Sequence, residues 1–252
     1  MAILGGPGAE DAVAYKWALP APRHDRLSDF RLGFVLDDPL CPVASDVKQA
    51  LAGAIDGLRK AGVRLDEGWP PDVDPREQYE AYRYLLAAFF AFELKDEEVE
   101  QVRARAAKPD GGMDSLEARA AVDPHKHFQA ASSRRMLARA RWQQYFGSHD
   151  AFLMPTSFTA AFPHDHSSPL EKRRVQTPEG ARAYVDQLFW ISFATLTGLP
   201  ATTAPVGFSR GGLPVGVQIL GPYLEDATPI RVAAGMAEVL GGFRPPPGYG
   251  SW

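Results

Sequence analysis

Serine, cysteine and histidine each occur in this 252-residue sequence where a chemical reading suggests itself. Gly207-Phe208-Ser209-Arg210-Gly211 has the form G-x-S-x-G, the elbow that presents a serine nucleophile where a strand turns sharply into a helix. Here a strand pattern precedes, but Gly212-Leu213-Pro214-Val215-Gly216 and a second strand pattern follow, so the residues predict a turn between two strands, with Ser209 exposed and dispensable. Cys41, between Leu40 and Pro42, is the sole cysteine, and no histidine adjoins it to draw off its proton, so it reads as a small packed or half-exposed side chain. The serine pairs Ser132-Ser133 and Ser167-Ser168 lack flanking glycines, which would be needed to gather backbone donors around an oxyanion. His164-Asp165-His166 reads as a polar surface loop. His125 and His127 lie near a helix start, where residues two apart face different sides and share a ligand poorly. None of these predicts a metal site, and nothing calls for a cofactor.

The elements that must position such residues follow from periodicity. Arg31–Leu36 predicts a short buried strand, and Val47, Leu51, Ala54, Ile55 and Leu58 recur at helical spacing between a Ser45 cap and Gly62. Val63–Leu65 predicts another strand, which makes a βαβ unit with a parallel pair. Asp74-Pro75-Arg76-Glu77 has the form of a capping box with proline at the first helical position, opening a long helix to about Leu94. Its Tyr84–Phe92 stretch is apolar all round, which predicts enclosure by other elements. Lys95–Lys108 is charged and solvated, and a further helix runs from Asp123-Pro124 towards Gly147. In the second half, Asp150–Met154 predicts a strand ended by Pro155, and Ala160–Arg174 a polar loop. Thr177-Pro178-Glu179 is expected to cap a helix running to Gly198, where Pro200 prevents its resumption. Two extended runs, Ala201–Val206 and Val215–Leu220, and a helix from Thr228-Pro229 complete the chain before an extended Phe243–Pro247 tail. Gly212, Gly216 and Gly221 punctuate the strands where backbone must pack closely or bend, and Gln218 is expected to satisfy backbone groups at a sheet edge. The expected fold is α/β, a mixed sheet flanked by helices, with residues 1–252 forming one unit.

Composition narrows the function classes. Hydrophobic residues make up 45% and charged residues 23%, with a net charge of -4, so the chain can build an ordinary core. Acids and bases are interspersed without the basic stripe of a nucleic-acid binder. No run approaches the roughly 20 apolar residues of a membrane span, so neither nucleic acid nor membrane is expected as a partner. A lone cysteine excludes an internal disulfide framework, and the absence of a signal-peptide pattern at Met1–Glu10 points to the cytoplasm.

Three motifs carry a resemblance: D-x-x-L-x-P-T at Asp150–Thr156, T-G-L-P-A at Thr197–Ala201 and G-L-P-V-G-x-Q-x-x-G at Gly212–Gly221. In this order they resemble the C-terminal half of amidase-signature enzymes. The likeness is best over residues 150–249 and looser before. Such enzymes hydrolyse carboxamide carbon–nitrogen bonds through a serine acyl-enzyme. The resemblance implies a serine nucleophile, a second serine and a lysine base, the serines in a Gly/Ser-rich loop that this sequence does not contain. No catalytic residue is therefore carried over. The resemblance further implies that the loop leaving the Asp150–Pro155 strand lies near the cleft. Thr156, Phe158, Phe189 and Trp190 then become candidates for an apolar wall against the substrate acyl group. The expectation is a portion of an amidase, inactive alone, that meets a small-molecule amide once completed by the missing half. Met1–Gly8 resembles an internal helix end of such enzymes, as a truncated gene, a mis-called start or a split enzyme would leave it. The apolar sheet face left open should then lead to a homo-oligomer or a complementary N-terminal chain. A non-catalytic binding or regulatory subunit is the other reading.

Overall fold

The computed structural model describes residues 6–246 and 248–249, so most of the Met1–Gly8 segment and Pro247 of the tail lie outside the described residues. Strand β1 (Arg31–Phe34), helix α1 (Ser45–Lys60) and strand β2 (Arg64–Glu67) form the expected parallel unit, with Arg31 opposite Arg64 and Phe34 opposite Glu67. Helix α1 turns Val47, Leu51, Ala54, Ile55 and Leu58 onto the sheet, as the periodicity requires. Ser45 is not its cap: it is the first helical residue, and its N–H donates to Glu179 Oε1 at 3.0 Å.

Helix α2 (Pro75–Phe90) begins where Asp74 accepts the N–H groups of Arg76 and Glu77 at 2.8 and 3.1 Å. The reciprocal half of the capping box is absent, because Glu77 pairs with Arg141 at 2.8 Å instead. Helices α3 (Val99–Ala106), α4 (Gly112–Val122) and α5 (His125–Tyr145) follow. The expected enclosure of Tyr84–Phe92 fails at its end. Tyr84 is buried, but Phe89, Phe90 and Phe92 are exposed, with Phe89 packed edge to face on the other two. The reason is that α2 buries Gln78 and Ala81–Tyr84 among its neighbours, and its last turn runs past them.

Strand β3 (Ala151–Pro155) is fully buried and pairs parallel with β1. The expected capped helix at Thr177 is instead a hairpin, β4 (Arg174–Thr177) and β5 (Gly180–Ala183), because Gly180 takes a φ of +125° and lets the chain reverse. Helix α6 (Leu188–Thr197) starts only after it and ends at left-handed Gly198. Strands β6 (Ala201–Phe208) and β7 (Pro214–Leu220) and helix α7 (Ala227–Leu240) complete the fold. The main sheet runs β2-β1-β3-β7-β6, parallel on one side of β3 and antiparallel on the other. It is a mixed sheet with helices on both faces. Strand β7 is internal, so Gln218 does not serve an edge; its Nε2 donates to the Trp190 carbonyl of α6 at 3.1 Å.

Candidate substrate-pocket wall

Strand directions place the candidate site. The carboxyl ends of β1, β3 and β6 and the start of β7 lie together at one end of the sheet, where ligands of α/β folds collect. Thr156 directly follows β3 there. A small cavity of about 150 Å³ opens beside it, bordered by Val47 of α1, Ser157, Thr159 and Gly216 of β7. A Cβ placed on Gly216 would lie 3.3 Å from Thr156 Oγ1 and 3.1 Å from Thr203 Cγ2, so the glycine leaves room for both threonine side chains beside it. Thr156 Oγ1 is buried and has no hydrogen-bond partner, a condition that costs about 1–3 kcal/mol.

The other three candidates lie deeper. Phe158 is fully buried under the Arg182 guanidinium, 4.7 Å from its ring centre, and its carbonyl accepts the Ala44 N–H at 2.8 Å. Phe189 meets the Tyr79 ring at 5.2 Å and Phe193 at 5.4 Å. Trp190 is wholly buried and stacks parallel on Trp69, with ring centres 6.2 Å apart, and its Nε1 has no partner. Trp69 also stacks on Phe152 and donates Nε1 to Asp38 Oδ2 at 2.8 Å. The fold therefore separates the four: Thr156 borders the small cavity, while Phe158, Phe189 and Trp190 are buried in the core and do not line it. Sequence reading missed Trp69 and Thr203. Trp69 follows a short strand and precedes two prolines, with no periodic signal; only its distant partner Trp190 shows its role.

Ser209 and Cys41 are both held in structural contacts. Ser209, expected to be exposed, is buried in the β6–β7 turn. Its Oγ accepts the Leu213 N–H at 3.2 Å and its carbonyl accepts the Gly212 N–H at 2.9 Å. It stays a turn residue because the folded-back backbone uses the side chain to close the turn. Cys41 is buried, and burial pushes its thiol up to about 12, only partly opposed by nearby Arg182. Ser133 Oγ donates to the Gln129 carbonyl within α5. His164 and His166 stack on each other, and His127 pairs with Asp123 at 3.0 Å while His125 stacks on Phe128. Among the described residues no group of three or more His, Cys, Asp or Glu could hold a metal ion, and no helix is long and apolar enough to cross a membrane.

Mixed sheet, helical layers and the three strand-end motifs together define an amidase-type α/β protein. The chain belongs to the Amidase family, whose model matches residues 9–229. It is 28% identical over 263 aligned positions to the A subunit of glutamyl-tRNA(Gln) amidotransferase from Thermus thermophilus, covering 94% of this chain and 52% of that protein. The corresponding protein of Neisseria meningitidis is 30% identical over 205 positions, covering 73% of this chain and 40% of that protein. Among solved structures, a bacterial aryl acylamidase of the amidase-signature family superposes with a TM-score of 0.60 at 17% identity, over 86% of this chain and 44% of that one. The Thermotoga maritima amidotransferase A subunit gives 0.59 at 21% identity, over 92% and 48%. The chain thus spans about half, or less, of the length of the relatives it matches.

Proposed function

We propose that this chain serves carboxamide hydrolysis as the part of an amidase that carries no nucleophile. In this reading it supplies the scaffold and a stretch of substrate-pocket wall at Thr156, Phe158, Phe189 and Trp190. The serine acyl-enzyme chemistry belongs to residues outside these 252. The observation that carries the reading is the buried, unpartnered Thr156 hydroxyl at the strand ends beside a cavity. A desolvated hydroxyl without a partner suits a site whose partner is a ligand, and a carboxamide offers both a donor and an acceptor. The engagement of the chain's own nucleophile candidates supports the other half of the reading: Ser209 closes a turn, and the Cys41 thiol is held neutral. A lone buried thiol also suits a reducing cytoplasm.

The test is ammonia release by the purified, folded chain across small aliphatic, aryl and long-chain acyl amides. The expected result is no release above the rate of buffer. Release that survives purification and disappears in Ser209→Ala would place the nucleophile within this chain and overturn the proposal.

A further inference from the structure

Helix α2 and the turn after it end in aromatic residues that the rest of the chain does not cover. Phe89, Phe90 and Phe92 are 66%, 51% and 73% exposed, and the Phe89 ring meets the other two edge to face at 5.2 and 6.0 Å. At about 200 Å² for a whole phenylalanine, they leave roughly 400 Å² of contiguous aromatic surface open. That is as large as the largest apolar patch of a typical monomer, and about half of the ~800 Å² that each partner of a standard interface buries. The pairing of α2 with α5 fixes its position. The two helices run antiparallel: Arg141 reaches Glu77 at 2.8 Å, Trp142 Nε1 donates to Gln78 at 3.1 Å, and Tyr84 Oη donates to Asp123 at 3.4 Å. The last turn of α2 therefore stands at the end of the pair where α5 begins.

Charges of opposite sign flank this patch. On the chain leaving it, Glu93, Asp96, Glu97 and Glu98 are all exposed, interrupted only by Leu94 and Lys95, and none of the four makes an ion pair among the described residues. Helix α5, on the other flank, carries Lys126, Arg134, Arg135, Arg139 and Arg141 and no acidic residue. Arg141 is taken by Glu77, and Arg139 by the Thr197 carbonyl and the Tyr223 ring. Lys126, Arg134 and Arg135 are exposed and make no ion pair among the described residues. Lys126 stands in the first turn of α5, nearest the aromatic end.

We propose that this end of the α2–α5 pair is an interface between two copies of the chain. A two-fold axis through the aromatic patch sets the acidic run of each copy against Lys126 of the other. The occupant follows from the charges. A partner of one sign, such as an anionic membrane or a basic peptide, would satisfy one flank and be repelled by the other. A second copy carries both signs, and two-fold symmetry repeats every contact, residue i on j and j on i. The phenylalanines then form the dry centre and the charges the solvated rim, which is the usual anatomy of an interface. None of these residues borders the cavity beside Thr156, so the inference stands wherever the nucleophile lies.

The experiment is sedimentation velocity of the purified chain at concentrations up to about 0.1 mM. It is repeated with Phe89→Ser plus Phe92→Ser, with Lys126→Glu, and with Lys126→Glu plus Glu97→Lys. The expected result is a dimer for the parent and a monomer for the double serine variant. Lys126→Glu should raise the dissociation constant about tenfold, because the two-fold counts the lost attraction and the new repulsion twice. Adding Glu97→Lys should bring it back to within about threefold of the parent. All four side chains are exposed, so circular dichroism should match the parent throughout. A monomeric parent overturns the interface, and its flotation with phosphatidylglycerol vesicles would assign the patch to a membrane instead. An assembly that the two serines leave intact, as one built on a sheet edge would be, overturns it as well. So does a charge reversal that Glu97→Lys fails to rescue.

Discussion

The Cys41 thiol gives a quantitative test of how closed the interior beside Arg182 and Asp186 is. Burial raises its pKa from an ordinary 9.0 to about 12, with the Arg182 guanidinium opposing the shift and Asp186 adding to it. At pH 9 the thiol of the unfolded chain is about half ionised. In the folded chain about one part in a thousand is thiolate, and only the thiolate attacks electrophiles. Alkylation by iodoacetamide at pH 9 should therefore run several hundredfold slower or more in the native chain than in guanidinium, on the order of the ratio of thiolate fractions. The same shift has a stability consequence. The folded state holds the proton more tightly, so the contribution is fully present below pH 9 and is lost as pH rises towards 12, at up to about 1.4 kcal/mol per pH unit. Urea titrations at pH 8 and pH 10 should show this loss in the parent chain and a smaller one in Cys41→Ala, which removes the thiol's share. Native alkylation within about tenfold of the denatured rate would show that Cys41 is neither buried nor neutral, and would reopen it as a nucleophile.

Three further outcomes follow from the packing. Gly221→Ala would put a Cβ 2.6 Å from Pro229 Cδ, and both atoms belong to stiff groups, so α7 must shift; a loss of about 1–3 kcal/mol in chemical denaturation is expected. Thr156→Val removes the unpartnered hydroxyl at nearly constant volume, so the isolated chain should become more stable by about 1 kcal/mol, whereas a decrease would mean that Thr156 has a partner in solution. Ser209→Ala loses the hydrogen bond from the Leu213 N–H and should cost about 1 kcal/mol in melting experiments while leaving secondary structure intact; a larger loss would contradict a role confined to the turn.

Local signals carried most of the fold. Helix α1 was legible because five apolar residues repeat at helical spacing, and the end of α6 because only glycine takes the φ of +69° at position 198 cheaply. The failures have one physical pattern: the decisive partner was far away in sequence. Thr177-Pro178-Glu179 has the composition of a helix start, yet Glu179 is used to hold the N–H of Ser45, 134 residues earlier, and the chain folds back as a hairpin. Glu77 completes the pattern of a capping box but is taken by Arg141. Ser209 is the exception: it looked like a solvent-facing turn residue, and the tightness of its own turn buries it.

The exposed Phe89, Phe90 and Phe92 show the same principle in reverse. An all-round apolar helix is a statement that something covers it, and in this chain nothing among the described residues does so at its last turn. The same holds for the uncharged β6 edge and for the Thr156 hydroxyl. The three lack different things: cover for apolar area, backbone pairing and a hydrogen bond. Sequence patterns record the environment in which a residue was selected. At an aromatic helix end, an edge strand and a strand-end hydroxyl alike, the proposed reading expects contacts that the described residues do not supply.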